Sequence, residues 1–133
     1  MGALYFAGEL VGAFLLGKGL CAERPLMVLS GNDLEHALLH LAAMVVGVPY
    51  APVSPAYSLL SEDFSRLRHV VDLVTPGLVF ANGAQYRRAL EAVVRAEVIT
   101  ELRELAPTSA VDEAHARVGP DTIAKFLFTS GST

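Results

Sequence analysis

Ser30 to Pro49 reads "SGNDLEHALLHLAAMVVGVP", and this stretch carries the clearest structural signal in the chain. Asn32 is placed to cap a helix, and Glu35, three residues on, can fold back toward its start in a capping-box arrangement. Leu34, Ala37, Leu38, Leu41, Ala42 and Val45 then hold one face at helical spacing. Gly47 ends the helix, and Val48-Pro49 forbids its continuation. Immediately before it, "LMVLS" (Leu26 to Ser30) is a short apolar run after the turn Glu23-Arg24-Pro25, which predicts a buried strand.

The same alternation extends both ways. Upstream, Phe6, Leu10, Ala13 and Phe14 predict a helix that Gly17 and Gly19 stop. Downstream, Pro49, Pro52 and Pro55 leave room for only a very short strand or an extended segment, because proline removes ladder donors. Ser61 with Glu62 and Asp63 predicts the start of a further helix with Phe64, Leu67, Val71 and Val74 inward. Arg66, Arg68 and Asp72 then lie largely outside, and Pro76-Gly77 terminates that helix. "LVFA" (Leu78 to Ala81) reads as a strand, "AQYRRALEAVVRA" as a helix and "EVIT" (Glu97 to Thr100) as a strand. Arg103 to Asp121 reads as a loop holding a short helix near Asp112 to Arg117, and "TIAKFLFTS" as the last strand. Strands alternating with helices predict right-handed crossovers, hence an α/β fold around a parallel sheet.

Composition narrows the function classes. The chain has 133 residues, one domain's worth, with 53% hydrophobic and 18% charged residues. That is too apolar for a disordered chain. The most apolar stretch, "ALYFAGELVGAFLLGKGL", is interrupted by Glu9 and glycines, and no basic region precedes it. It resembles neither a membrane span nor a signal peptide. Cys21 has no second cysteine to pair with, which fits a reducing compartment, and the expectation is a soluble cytoplasmic protein with no membrane partner. A net charge of −4 without a basic cluster argues against nucleic acid.

Five residues carry the candidate chemistry. Thr129, Ser130, Gly131, Ser132 and Thr133 follow an apolar run and supply hydroxyls around a glycine. Beyond the carboxyl end of a parallel strand, such hydroxyls and exposed backbone N–H groups suit polyphosphate. The pattern is not the P-loop of G-x-x-x-x-G-K-[ST] type, since it has one glycine and no lysine. By themselves these residues fit a flexible Ser/Gly tail better than a phosphate loop. His36 and His40 share a helix face, but "HALLH" lacks the glutamate of H-E-x-x-H and a third ligand, so they read as surface or subdomain-contact residues and no metal ligand is assigned. Cys21 reads as an ordinary thiol, and Tyr50 and Tyr57 as packing against the proline segment. Arg68 and His69 are solvated helix residues with some prospect of contacting another part of a larger protein. No catalytic residue is assigned.

"FLFTSGST" resembles the opening of the phosphate loop of the adenylate-forming enzymes, the acyl-CoA synthetase and AMP-binding superfamily. In that family the motif runs on through a further glycine, a proline and a lysine. Lys125 precedes the glycine and does not match that lysine. Upstream, Arg24 to Ala81 is similar to the early part of the same fold, with its strand, helix ending in Gly47 and proline-rich segment. The wording "PVSPAYSLLSEDFSRLRHV" and "LVTPGLVFA" looks most like the feruloyl-CoA synthase subgroup. The resemblance covers roughly residues 4 to 100 and 121 to 133.

It implies a two-step ligase using ATP, Mg2+ and CoA, whose small-molecule partners are a carboxylate, aromatic or hydroxycinnamic, and CoA. Thr129, Ser130, Gly131, Ser132 and Thr133 match the loop that holds the leaving phosphates. The resemblance further implies that residues 1–133 are a partial N-terminal AMP-binding domain stopping inside that loop, without the C-terminal domain and inactive in isolation. Two other readings stand beside it. A doubly wound oxidoreductase would need G-x-G-x-x-G, where "LSGNDLEH" has one glycine. A stand-alone α/β interaction module would be soluble and indifferent to ATP.

Overall fold

The computed structural model describes residues 2–102 and 105–129, with side chains from Ala7 onward. Helix α1 (Gly2–Gly17) leads to β1 (Leu26–Leu29), α2 (Leu34–Val46), β2 (Tyr50–Val53), a single turn α3 (Ala56–Leu59) and α4 (Ser65–Val74). β3 (Leu78–Ala81), a 3-10 turn over Ala84–Tyr86, α5 (Arg87–Val93), β4 (Glu97–Ile99) and α6 (Ser109–Ala116) follow. Among the described residues the strands form one parallel sheet in the order β2-β1-β3-β4, with Leu26 level with both Tyr50 and Leu78. The expected α/β class with a parallel sheet is therefore observed.

Alternation along the strands divides the core. Leu26, Val28, Tyr50, Leu78 and Phe80 pack with α1, α2 and α6, while Met27, Leu29, Ala51, Val53, Val79 and Ala81 pack with α3, α4 and α5. β1 and β3 are buried at every position, as parallel strands covered on both faces must be. α1 and α2 approach closely at Gly12, where a Cβ would lie 2.8 Å from Val46 Cγ1.

Several local expectations shift. α2 is capped by Asp33 and not Asn32: Asp33 has extended backbone, and its Oδ1 accepts from His36 N at 2.8 Å. Glu35 then falls one position short of the site a reciprocal capping box requires. The buried face of α2 moves with it to Leu39, Ala42, Ala43 and Val46, leaving Leu34 and Leu41 exposed. α4 begins at Ser65 and not at Ser61, because Phe64 takes a left-handed backbone (φ 57°) that buries its ring. Ser61 Oγ accepts from Phe64 N at 2.9 Å and Asp63 Oδ1 from Ser65 N at 3.1 Å, so both still satisfy donors ahead of the helix. The inward positions on α4 are Leu67, Val70 and Val74, with Val71 half-buried. The expected short helix near Asp112 to Arg117 starts earlier, at Ser109, because Thr108 caps it through Ala110 N.

The expected last strand, "TIAKFLFTS", is reduced to one parallel bridge between Lys125 and Tyr50. Tyr50 N donates to Ala124 O and Phe126 N to Tyr50 O, both at 3.0 Å. The next donor in a parallel ladder would be the nitrogen of Pro52, which carries no hydrogen. The pairing stops there.

Candidate functional site

A parallel sheet presents its ligand-binding loops at the carboxyl ends of its strands. The chain moves from β1 to one neighbour, β2, and then returns across β1 to β3, so the topological switch lies between β1 and β3. Here the two loops hold each other. Asn82 N donates to Leu29 O at 3.1 Å, and Asn82 Nδ2 donates to Asp33 Oδ2. Asp33 thus caps α2 with one carboxylate oxygen and ties down the β3 loop with the other. Its charge, with burial the larger cause, raises the Tyr86 hydroxyl above the usual tyrosine range. Beyond β3 and β4 lies a cavity of about 580 Å³ lined by Asn82, Gly83, Arg87, Leu90, Val98 and Thr100.

The outer edge of β2 is built differently. Tyr50, at its start, is 5% exposed and faces α2. His36 Nδ1 lies 3.1 Å from Gly31 O, and His36 Nε2 lies 3.0 Å from the Tyr50 hydroxyl. A carbonyl can only accept, so in the neutral ring Nδ1 carries the hydrogen and Nε2 accepts from Tyr50. His40 stacks on the same phenol, with ring centroids 4.5 Å apart and planes at 16°. Burial, then the charges of Lys125 and His36, lower the pKa of His40, while burial raises that of Tyr50. The two histidines, expected as surface or subdomain-contact residues, are half-buried and both contact Tyr50. Among the described residues no group of three or more His, Cys, Asp or Glu could hold a metal ion.

From this edge the segment Ala124–Thr129 runs parallel to β2, so it exits at the carboxyl side of the sheet. Phe126 and Phe128 pack against the core on the α3–α4 face, and Tyr57 donates its hydroxyl to Thr129 O at 3.2 Å. Thr129 is thereby placed beyond β2. Ser130, Gly131, Ser132 and Thr133 lie outside the described residues. Lys125 sits on the bridge itself, exposed beside Tyr50. Cys21 is exposed, with Sγ 3.4 Å from Glu23 Oε2. Arg68 and His69 border an open hollow on α4 with Asp63, Ser65 and Asp72. Two features escaped the sequence, the Asp33–Asn82 bridge and the Tyr57–Thr129 bond, because each joins residues far apart in the chain. The place of Tyr57 beside the proline segment bore on the second alone, and nothing in the sequence pointed to the first.

A family model for AMP-binding enzymes matches residues 4–133. The chain belongs to the AMP-binding enzyme family. These are adenylate-forming ligases, and the fold agrees. Apo MatB from Rhodopseudomonas palustris superposes with a TM-score of 0.71 at 22% identity, over 98% of this chain and 27% of that one. The fatty acyl-adenylate ligase from L. pneumophila, in complex with acyl adenylate and pyrophosphate, gives 0.73 at 16% identity, over 98% and 22%. VinN gives 0.74 at 22% identity, over 98% and 35%. At these identities the likeness concerns the fold alone. The chain spans about a fifth to a third of the length of these proteins. Among curated proteins, none matches. No helix among the described residues is long and apolar enough to cross a membrane.

Proposed function

We propose that this chain forms the opening part of the N-terminal domain of an ATP-dependent, AMP-forming carboxylate–CoA ligase, and that Thr129–Thr133 begin its polyphosphate loop. The observation that carries the reading is the direction of Ala124–Thr129, parallel to β2 and leaving the sheet at its carboxyl edge. There, hydroxyls and backbone N–H groups meet an anion without a competing ladder. The match of the family model through residue 133 supports it, as does a neighbour of this fold that holds acyl adenylate and pyrophosphate.

In the proposed reaction a substrate carboxylate oxygen attacks the α-phosphorus of ATP. The bond to the bridging oxygen breaks, and pyrophosphate leaves with its electron pair. The CoA thiol, losing its proton, then attacks the acyl carbon and expels AMP. The loop's part is to position the triphosphate and stabilise charge growing on the leaving pyrophosphate. Mg2+ would be held largely by the phosphates, as this ion's preference for oxygen and retained water favours. CoA is proposed as acceptor, and an aromatic, hydroxycinnamic-type acid as substrate, on the wording of Pro52 to Phe80. The site of action is proposed to be the cytoplasm. Exposed Leu34, Leu60, Leu73 and Leu127 fit a surface that further protein covers, the isolated segment then being inactive.

The test is carboxylate-dependent exchange of labelled pyrophosphate into ATP by the natural polypeptide, followed by thioester formation with CoA. Exchange with hydroxycinnamic acids, lowered at least about tenfold by Gly131→Val through a side chain where backbone must approach phosphate, is the expected result. Absence of exchange with every aromatic and aliphatic carboxylate tried overturns the reading.

A further inference from the structure

The bond from Tyr57 to Thr129 is held unusually well at its donor end. α3 is one turn long, yet it is fastened to the end of β2: Tyr57 N donates to Ser54 O at 3.0 Å and Ala56 N to Ser54 Oγ at 3.3 Å. The Tyr57 ring is 8% exposed, in the core cluster that contains Phe64 and Leu67. The Arg66 guanidinium lies over its face, 5.7 Å from the centroid. A phenol has only two side-chain torsions, and here both are fixed by packing. The acceptor end is the opposite case. Pairing with β2 stops after Phe126 because Pro52 has no N–H, and Thr129 lies three residues further on. The tyrosine supplies a polar tie where the ladder supplies none.

We infer that Tyr57 is a positioning residue for the polyphosphate loop: its hydroxyl fixes the Thr129 carbonyl and with it the course the chain takes from the sheet edge into the loop. The Thr129 carbonyl is the last backbone acceptor before the residues proposed to meet the phosphates, so holding it sets where they begin. The inference rests on the reading of Thr129–Thr133 as phosphate-binding. Tyr57 touches no reacting atom in this account. It acts through the backbone.

Tyr57→Phe keeps the ring and removes only the donor. In the natural polypeptide, pyrophosphate exchange is expected to show a KM for MgATP raised about fivefold, the scale of one neutral hydrogen bond. The KM for the carboxylate and the thermal midpoint should stay unchanged. Leu39→Ala, in the core cluster on the other face of the sheet, should lower the midpoint and leave the KM for MgATP alone. Hydrogen exchange at Phe126–Thr129 should quicken in Tyr57→Phe. An active wild type with an unaltered KM for MgATP in Tyr57→Phe overturns the role of Tyr57 and spares the loop reading. So does a KM that follows thermal stability across both variants. A wild type without exchange on any carboxylate overturns both.

Discussion

The centre of the sheet and the outer edge of β2 are held at their carboxyl ends by different means. At the centre, β1 and β3 are buried along their whole length, and their loops are tied by the Asp33–Asn82 bridge. At the edge, Ala124–Thr129 is held by two backbone bonds, two phenylalanines and a tyrosine hydroxyl. The central loops answer to each other, and their rigidity is a property of the core. The edge segment is tied through one bridge and side-chain contacts to the end of β2 and the α3–α4 face. On the proposed reading, a phosphate loop leaving such an edge adapts to its ligand without cost to the central strands.

That contrast can be broken at its strong end first. Phe80→Ala removes a fully buried ring from β3 and should cost about 3–5 kcal/mol, read as a fall in the denaturation midpoint. Asp33→Ala removes both the α2 cap and the bridge to Asn82. It should cost about 2 kcal/mol and speed amide exchange in both the β1 and β3 loops, leaving Ala124–Thr129 as protected as before. Equal loosening of the edge segment would show that the two regions are one unit.

Pro52→Val sharpens the comparison from the other side. It restores the missing donor, so the amide at position 52 should be protected and the bridge should lengthen toward a strand. The net change should stay within about 1 kcal/mol, since the gained bond is offset by lost proline stiffness. The smallest effect concerns pH. His40 has its pKa lowered in the folded chain by burial, Lys125 and His36, so the unfolded state binds the proton more readily. Its contribution is complete above the ordinary value of 6.5 and declines as pH falls below it. Thermal midpoints compared at about pH 7.5 and 5.5 should show a slightly smaller acid-side loss in His40→Gln.

Much of the architecture was legible in the chain. Leu26–Leu29 and Leu78–Ala81 are short apolar runs between turn residues, and both are strands. Gly47 ends α2 with φ 72°, where a side chain would be strained. The misplaced helix starts share one cause. Asn32 and Asp33 both have capping chemistry, and which one caps depends on where Leu39, Ala42 and Val46 meet the sheet. A one-residue shift turns a helix by about 100° and redefines its buried face. Ser61 likewise has a capping hydroxyl, but burial of Phe64 delays the helix to Ser65.

The sequence by itself determined the alternation of strands and helices, most of the breaks between them and, through its three prolines, that the segment around Pro52 could hold only a short strand. It also carried the family resemblance in its last residues. Only the tertiary structure decided which strand is central, that Asp33 joins the loops at the switch point, that His36 and His40 serve Tyr50, and that Tyr57 reaches Thr129. The physical reason is range. Periodicity and capping act over a few residues and are written locally. A hydrogen bond spanning 72 positions exists only once the chain has closed on itself.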